Sequence, residues 1–262
     1  MTRLKNFLLE EFDPIGRRTK VISFEDAKNI IETKCTDVLN FYRKSNTYIY
    51  RGTSSGNILH LDTRGKEERE SRSIQNYYTL IINNDPSWKK FPKRQIICST
   101  WMAAYGKISY LVFPINGSKI GICSKNDIWY SFDRIMSMRD RSVSLFFDEL
   151  DRCFKKYANM NVKTYNDLKK ACGIVDNKLN DYKEVIFEFI NYDEFKKYGM
   201  FNTLLNIFSP KSFDVVSTKT LNKLKEKREV WMDTECILIN VGMVDLFYEL
   251  GMENANEINK LP

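Results

Sequence analysis

The chain has 262 residues, a length that fits one large domain or a domain with a small appendage, and its 43% hydrophobic content, rich in Phe and Tyr, suffices for a buried core. No run of about 18 apolar residues is present, which predicts no membrane-spanning helix, and acids interrupt the N-terminal stretch too early for a secretory signal. The net charge of +7 is dispersed and favours an anionic partner, a nucleotide or a nucleic acid, without specifying one.

Residues 1–22 read as a polar lead-in broken by Pro14 and Gly16. Ser23 and Asp26 have the spacing of a capping box, and the apolar residues behind them, from Ala27 to Tyr42, recur at helical spacing, predicting one helix to about Lys44. The aromatic and β-branched stretch 47–52 predicts a strand that runs into a small-residue turn at 53–56. The charged residues 60–73 read as an exposed loop, and 73–84 as a short helix stopped by Asp85 and Pro86. A second buried strand is expected at 95–100, leading into a helical turn closed by Gly106. Residues 110–114 and 119–123 flank Asn116 and Gly117, a hairpin signal, and 128–130 form a short strand or an aromatic loop.

From Ser142 the pattern turns helical, with Val143, Phe146, Phe147, Leu150, Phe154 and Tyr157 on one stripe, a core face rather than a cofactor surface. Helical character continues at 164–172 and at 180–198, where alternating aromatics also allow a strand. The pieces 201–208 and 221–229 flank a Ser-Pro turn, 236–239 is a buried strand, and a short helix with a polar tail ends the chain. No repeat or low-complexity linker divides the sequence, so the economical reading is one compact α+β domain over 1–262 with a helical insertion at about 140–212.

Six cysteines occur without a Cys-x-x-Cys pair, and His60 is the only histidine. That leaves no zinc ligand set, argues against Ser-His-Asp or Cys-His catalysis, and suits buried thiols in a reducing compartment. Three places remain where chemistry fits. Arg51, at a strand end before Gly52, can present a guanidinium to phosphate while the glycine backbone approaches a ligand. Ser99 and Thr100 end the second strand, where hydroxyls either cap the following turn or hold a neighbour. Asp233 and Glu235, one residue apart before the strand at 236–239, project to one face of an extended chain.

Taken in order, Tyr50-Arg51-Gly52, Ser99-Thr100-Trp101 and Asp233-Thr234-Glu235 resemble the landmarks of the arginine-serine-glutamate clade of mono-ADP-ribosyltransferases, found among bacterial toxins and phage enzymes. The likeness covers spaced landmarks from 47 to 240. It departs from the family at Trp101, where a second serine is usual, and at Asp233, where Glu or Gln is usual. The resemblance implies an ADP-ribosyltransferase-like split β-sandwich with flanking helices, binding NAD as substrate and needing no metal. Arg51 would contact the NAD phosphates or ribose, Gly52 the nicotinamide carboxamide, and Ser99 would orient the catalytic Glu235, with Thr100 supporting the strand end. Asp233 would handle the acceptor, and 225–232 would be the loop that meets it. The acceptor, protein or nucleic acid, is unspecified, and the location implied is cytoplasmic, a host's cytoplasm included. Two other readings stand beside it. One is a catalytically inactive basic binding or virion-associated module using Lys89, Lys90, Lys93 and Arg94 with Trp88 and Phe91; the other is an NAD glycohydrolase.

Overall fold

The computed structural model describes residues 19–52, 56–63, 77–101, 109–128, 140–178, 192–211, 215–254 and 258. The expected lead-in before Thr19, the turn at 53–55, the charged run 64–73, the helical turn after Trp101, the aromatics at 129–130, residues 179–191 and most of the polar tail lie outside them. The chain forms two compact units, one of Met1–Arg69, Phe91–Asn126 and Val216–Pro262, the other of Glu70–Lys90 and Asp127–Val215. The whole is mixed α+β, with a nine-stranded antiparallel sheet that does not close into a barrel.

In the first unit, strand β1 (Thr19–Val21) leads to helix α1 (Phe24–Lys34), whose first turn is capped by the Ser23 hydroxyl accepting the Asp26 N–H at 3.1 Å. The Asp26 carboxylate accepts the Ser23 hydroxyl at 2.7 Å, so the second arm of the expected box reaches a side chain instead of the Ser23 amide. The single helix expected to Lys44 is two, because α2 (Thr36–Lys44) starts afresh after Cys35. Cys35 leaves the helical region at φ −119° and ψ 27°, and its buried thiol lies 3.5 Å from the Phe113 carbonyl, which ties the break to the sheet beneath.

The remaining strands are β2 (Tyr50–Gly52), β3 (Ile58–Asp62), β4 (Ile96–Ser99), β5 (Ser109–Pro114), β6 (Ile120–Cys123), β7 (Val215–Thr218), β8 (Glu229–Met232) and β9 (Glu235–Asn240). β3 occupies the start of the stretch expected as a loop. Its Leu59 and Leu61 are buried on either side of His60, a period-two pattern too short to stand out beside the charges that follow. The sheet order is β1-β3-β9-β5-β2-β4-β8-β6-β7. Residues 110–114 and 119–123 are strands as expected, but they do not pair as a hairpin: β5 pairs with β2 and β9, and β6 with β8. The turn at Asn116 and Gly117 is present, with Gly117 at φ 74°, but it carries the chain to a distant strand.

The same is true of β8 and β9, and here the geometry is decisive. Three strands separate them in the sheet, about 19 Å at ordinary strand spacing, yet Met232 and Glu235 are at most about 11 Å apart along the chain. The sheet must therefore fold over. The fold falls at β2, which pairs with β5 along its three residues but with β4 only at Tyr50, opposite Ser99. The core agrees. Tyr110, Val112, Cys236 and Leu238 of one half meet Ile96, Cys98, Ile120, Ile122, Val230 and Met232 of the other in a single buried cluster. The alternate residues Tyr50, Leu111, Phe113, Ile237 and Ile239 pack beneath α1 and α2, together with Leu246 and Phe247 of the C-terminal helix (Val244–Glu249). The two short crossings run side by side, where Ser118 Oγ donates to Thr234 Oγ1 at 3.0 Å and the Ile115 N–H donates to the Glu235 carbonyl at 3.2 Å.

The second unit is helical and aromatic. It comprises α3 (Tyr77–Asn84), α4 (Asp140–Cys153), α5 (Tyr165–Asp176) and α6 (Tyr192–Ile207). Tyr77 meets Phe154 edge-on at 5.3 Å, Phe147 stacks on Phe208 at 5.9 Å, and the buried Trp88 indole donates to the Phe208 carbonyl at 2.8 Å. The predicted stripe at Phe146, Phe147, Leu150 and Phe154 is core, as its spacing implied. α6 is interrupted at Gly199, which takes φ 76° with the Asp176 carboxylate at its back.

Gly121 of β6 packs against the Trp231 ring so closely that a Cβ there would lie inside the indole. Gly121→Ala is expected to lower stability by about 1–3 kcal/mol, read from the denaturant midpoint. An unchanged midpoint would contradict the β6–β8 packing.

Candidate functional site

Three neighbouring strands carry Arg51, Ser99 and Glu229. In the ladder Tyr50 of β2 lies opposite Ser99 of β4, and Ser99 lies opposite Glu229 of β8. Arg51 follows Tyr50 and leaves the opposite face, toward the core between the sheet halves. Its Nη1 donates to the Ile97 carbonyl at 2.8 Å, so the guanidinium crosses the place where β2 and β4 part. Burial pushes the Cys236 thiol well above its ordinary value and the Arg51 cation partly offsets this, which fits a guanidinium set inside that core.

Glu229 is 2% exposed and Arg94 3%, and they form an ion pair with N–O distances of 2.9 and 3.2 Å. Two charges so deeply withdrawn from water are tolerable only as partners. Ser99 Oγ accepts the Trp101 N–H at 2.9 Å, the capping role that a hydroxyl at a strand end allows. Thr100 ties down the approach to β8: its N–H donates to the Arg228 carbonyl at 2.9 Å, its hydroxyl donates to the Lys225 carbonyl at 2.5 Å, and that hydroxyl accepts the Arg228 N–H at 2.9 Å. The buried Tyr50 hydroxyl, opposite Ser99, has no hydrogen-bond partner among the described residues. An orphaned buried donor of this kind is costly unless something else satisfies it.

Asp233 and Glu235 are elsewhere. Asp233 Oδ2 accepts the Lys93 N–H at 2.8 Å and so fastens the β8–β9 crossing. Glu235 leaves β9 on the helix-covered side with Ile237 and Ile239, and its Oε1 lies 2.8 Å from His60 Nε2. Along the continuous ladder β2-β5-β9, Arg51 is level with Tyr110 and Tyr110 with Asn240. Glu235 is therefore about 17 Å along β9 from that level. The expected convergence of Glu235 and Asp233 with Arg51 and Ser99 does not occur, because β9 lies beyond β5 while β8 lies beside β4. Glu229, which the sequence did not single out, stands opposite Ser99 in the β4–β8 ladder. Its signal was present in Val230, Trp231 and Met232, a short apolar run preceded by an acid; the stretch 225–232, expected as a loop, is in fact a strand from Glu229 onward.

Of the aromatics and cations at 88–94, Lys89, Lys90 and Lys93 are exposed, while the others are packed inward. Trp88 is a core anchor at 2% exposure, Arg94 is buried against Glu229, and Phe91 stacks on Trp231 at 6.5 Å. All six thiols are free and buried, and burial raises Cys35 to about 12 and Cys153 to about 11, so both are held protonated. Among the described residues no group of three or more His, Cys, Asp or Glu stands together to hold a metal. No protein-family model matches the chain, and no curated protein or solved structure matches it either.

The Arg94–Glu229 pair gives a direct prediction. Glu229→Ala alone strands a buried guanidinium and is expected to cost about 3–5 kcal/mol, whereas the double change Arg94→Met with Glu229→Met is expected to cost much less. Chemical denaturation of both variants measures the difference; equal losses would show that the pair is not coupled.

Proposed function

We propose that this chain is an NAD-dependent mono-ADP-ribosyltransferase of the arginine-serine-glutamate type, with Arg51, Ser99 and Glu229 in the three roles. One observation carries the reading: the β2-β4-β8 ladder sets Tyr50, Ser99 and Glu229 in one row on one face, with Arg51 next along β2 and its guanidinium crossing where β2 and β4 part. A sheet folded over at β2 and parted after Tyr50 also suits the split β-sandwich that the sequence resemblance implies. On this reading the carboxylate is Glu229 in place of Glu235.

The chemistry follows from the positions. Cleaving the bond between ribose C1′ and the nicotinamide nitrogen builds positive charge on the ribose, and a fixed carboxylate favours that charge more than it favours neutral ribose. Arg94 holds Glu229 in place, so little reorganisation accompanies the step. Arg51 contacts phosphate or ribose oxygens, the geometry its planar fork suits, and Gly52 offers backbone to the carboxamide. Ser99, across the ladder from Glu229, positions the ribose end. The orphaned Tyr50 hydroxyl is a further group that a polar ligand would satisfy. The same bond-breaking apparatus serves a glycohydrolase that uses water as acceptor. The depth of the Arg94–Glu229 pair favours a second reading, a binding module without catalysis, because a carboxylate sealed by a guanidinium is a structural pair.

The experiment is release of free nicotinamide from NAD by the purified protein. Glu229→Gln, which keeps a hydrogen-bond acceptor for Arg94, is expected to lower release by about a hundred-fold or more with its circular dichroism unchanged. Glu235→Gln is expected to stay within a few-fold of the parent. Full turnover in folded Glu229→Gln would refute the assignment, and loss confined to Glu235→Gln would restore Glu235.

A further inference from the structure

The loop leading into β8 carries a charge pattern that NAD binding does not use. Between β7 and Glu229, Lys219, Lys223, Lys225 and Lys227 are exposed and Arg228 is half-buried, with Glu226 as the one acid in that stretch. Exposed Lys125 joins them, since its carbonyl accepts the Glu229 N–H at 3.1 Å.

This loop is a fixed frame. Leu224 is buried in the core between the sheet halves, Thr100 binds Lys225 and Arg228 through the three hydrogen bonds described above, and Arg228 donates to the Ser124 carbonyl. Lys227 turns the chain in the left-handed region at φ 55°. Directly after Thr100 stands Trp101, an indole 37% exposed, with the Lys227 ammonium 5.8 Å from its ring centre. Lysines kept for solubility alone would need neither this anchoring nor an exposed indole beside them.

A ligand that satisfies both features has closely spaced anionic charges and planar faces to lay on an indole. Single-stranded nucleic acid has both, while a duplex keeps its base faces stacked away. We propose that residues 219–228 together with Trp101 bind single-stranded nucleic acid and present it as the acceptor of ADP-ribose. The transfer rests on the enzymatic reading above; the binding rests on the loop alone. In the transfer the C1′–nicotinamide bond breaks and nicotinamide leaves with the bonding pair as a neutral base. A nitrogen or oxygen of the strand supplies a pair to C1′ and gives its proton to water.

The test is fluorescence anisotropy of the full chain with fluorescein-labelled oligothymidylate and oligouridylate across a salt series, without NAD. Saturable binding that weakens with salt is expected, and whichever oligomer binds more tightly identifies DNA or RNA. Trp101→Ala should weaken it about ten-fold with the salt slope unchanged, and the triple change Lys223→Ala, Lys225→Ala, Lys227→Ala should flatten the slope by about two. No saturable binding at low salt, equal affinity after Trp101→Ala, or equally tight binding of a duplex would overturn the inference. Label from NAD appearing on the oligomer, and absent with Glu229→Gln, supports the acceptor role; NAD consumed with the oligomer unlabelled overturns that role. If NAD is not consumed at all, the anisotropy decides the binding by itself while the enzymatic reading fails.

Discussion

Two residues, Asp233 and Thr234, separate the strand that holds Glu229 from the strand that holds Glu235. Because three strands lie between those two in the sheet, the link can close only if the sheet folds on itself. The consequences reach through the first unit. The fold creates an interior between the halves, which the alternate residues of β4, β5, β6, β8 and β9 fill. It leaves the other face of β5 and β9 for the N-terminal helices, and it makes β2 the strand along which the two halves part. The crossing itself is fastened by Asp233 on the Lys93 amide and by Thr234 on Ser118.

Arg51 stands at that parting and has two physical uses there. Its guanidinium gives the Ile97 carbonyl a donor where the ladder between β2 and β4 has stopped, which is a stabilising task. On the proposed reading it would also offer a cation to a phosphate-bearing ligand where β2 and β4 part. The two uses are compatible, since a guanidinium has five donors in a rigid fork. Glu229 has the same double aspect. Its pairing with Arg94 satisfies two buried charges, and on the proposed reading it would also fix the carboxylate that meets developing ribose charge.

The strands were legible where their residues were apolar on both faces. Residues 95–100, 110–114, 119–123 and 236–239 announced themselves in this way, and so did the aromatic stripe of α4. Pairing was not legible. Asn116 and Gly117 make a turn, but nothing local shows that the strands on either side belong to different halves of a folded sheet. The site was half legible for the same reason. Arg51 and Ser99 lie at strand ends that the pattern marks, and the resemblance put them in order. The sequence pointed to Asp233 and Glu235, which precede the longer apolar run, and passed over Glu229, which precedes a run of three. Only the register, with Ser99 opposite Glu229, separates the two choices. The break at Cys35 was likewise hidden, since its cause is a sheet carbonyl far away in sequence.

The central claim is that the β2-β4-β8 row with Arg51 forms an NAD site, and calorimetric titration of NAD into the parent protein and into Arg51→Lys tests it most directly. The account predicts saturable one-to-one binding, weakened about ten-fold or more by the loss of the planar fork, with the variant still folded. A parent protein that takes up no NAD at millimolar concentration, or a lysine variant that binds equally well, would contradict it and leave Arg51 in a structural role, as at Ile97.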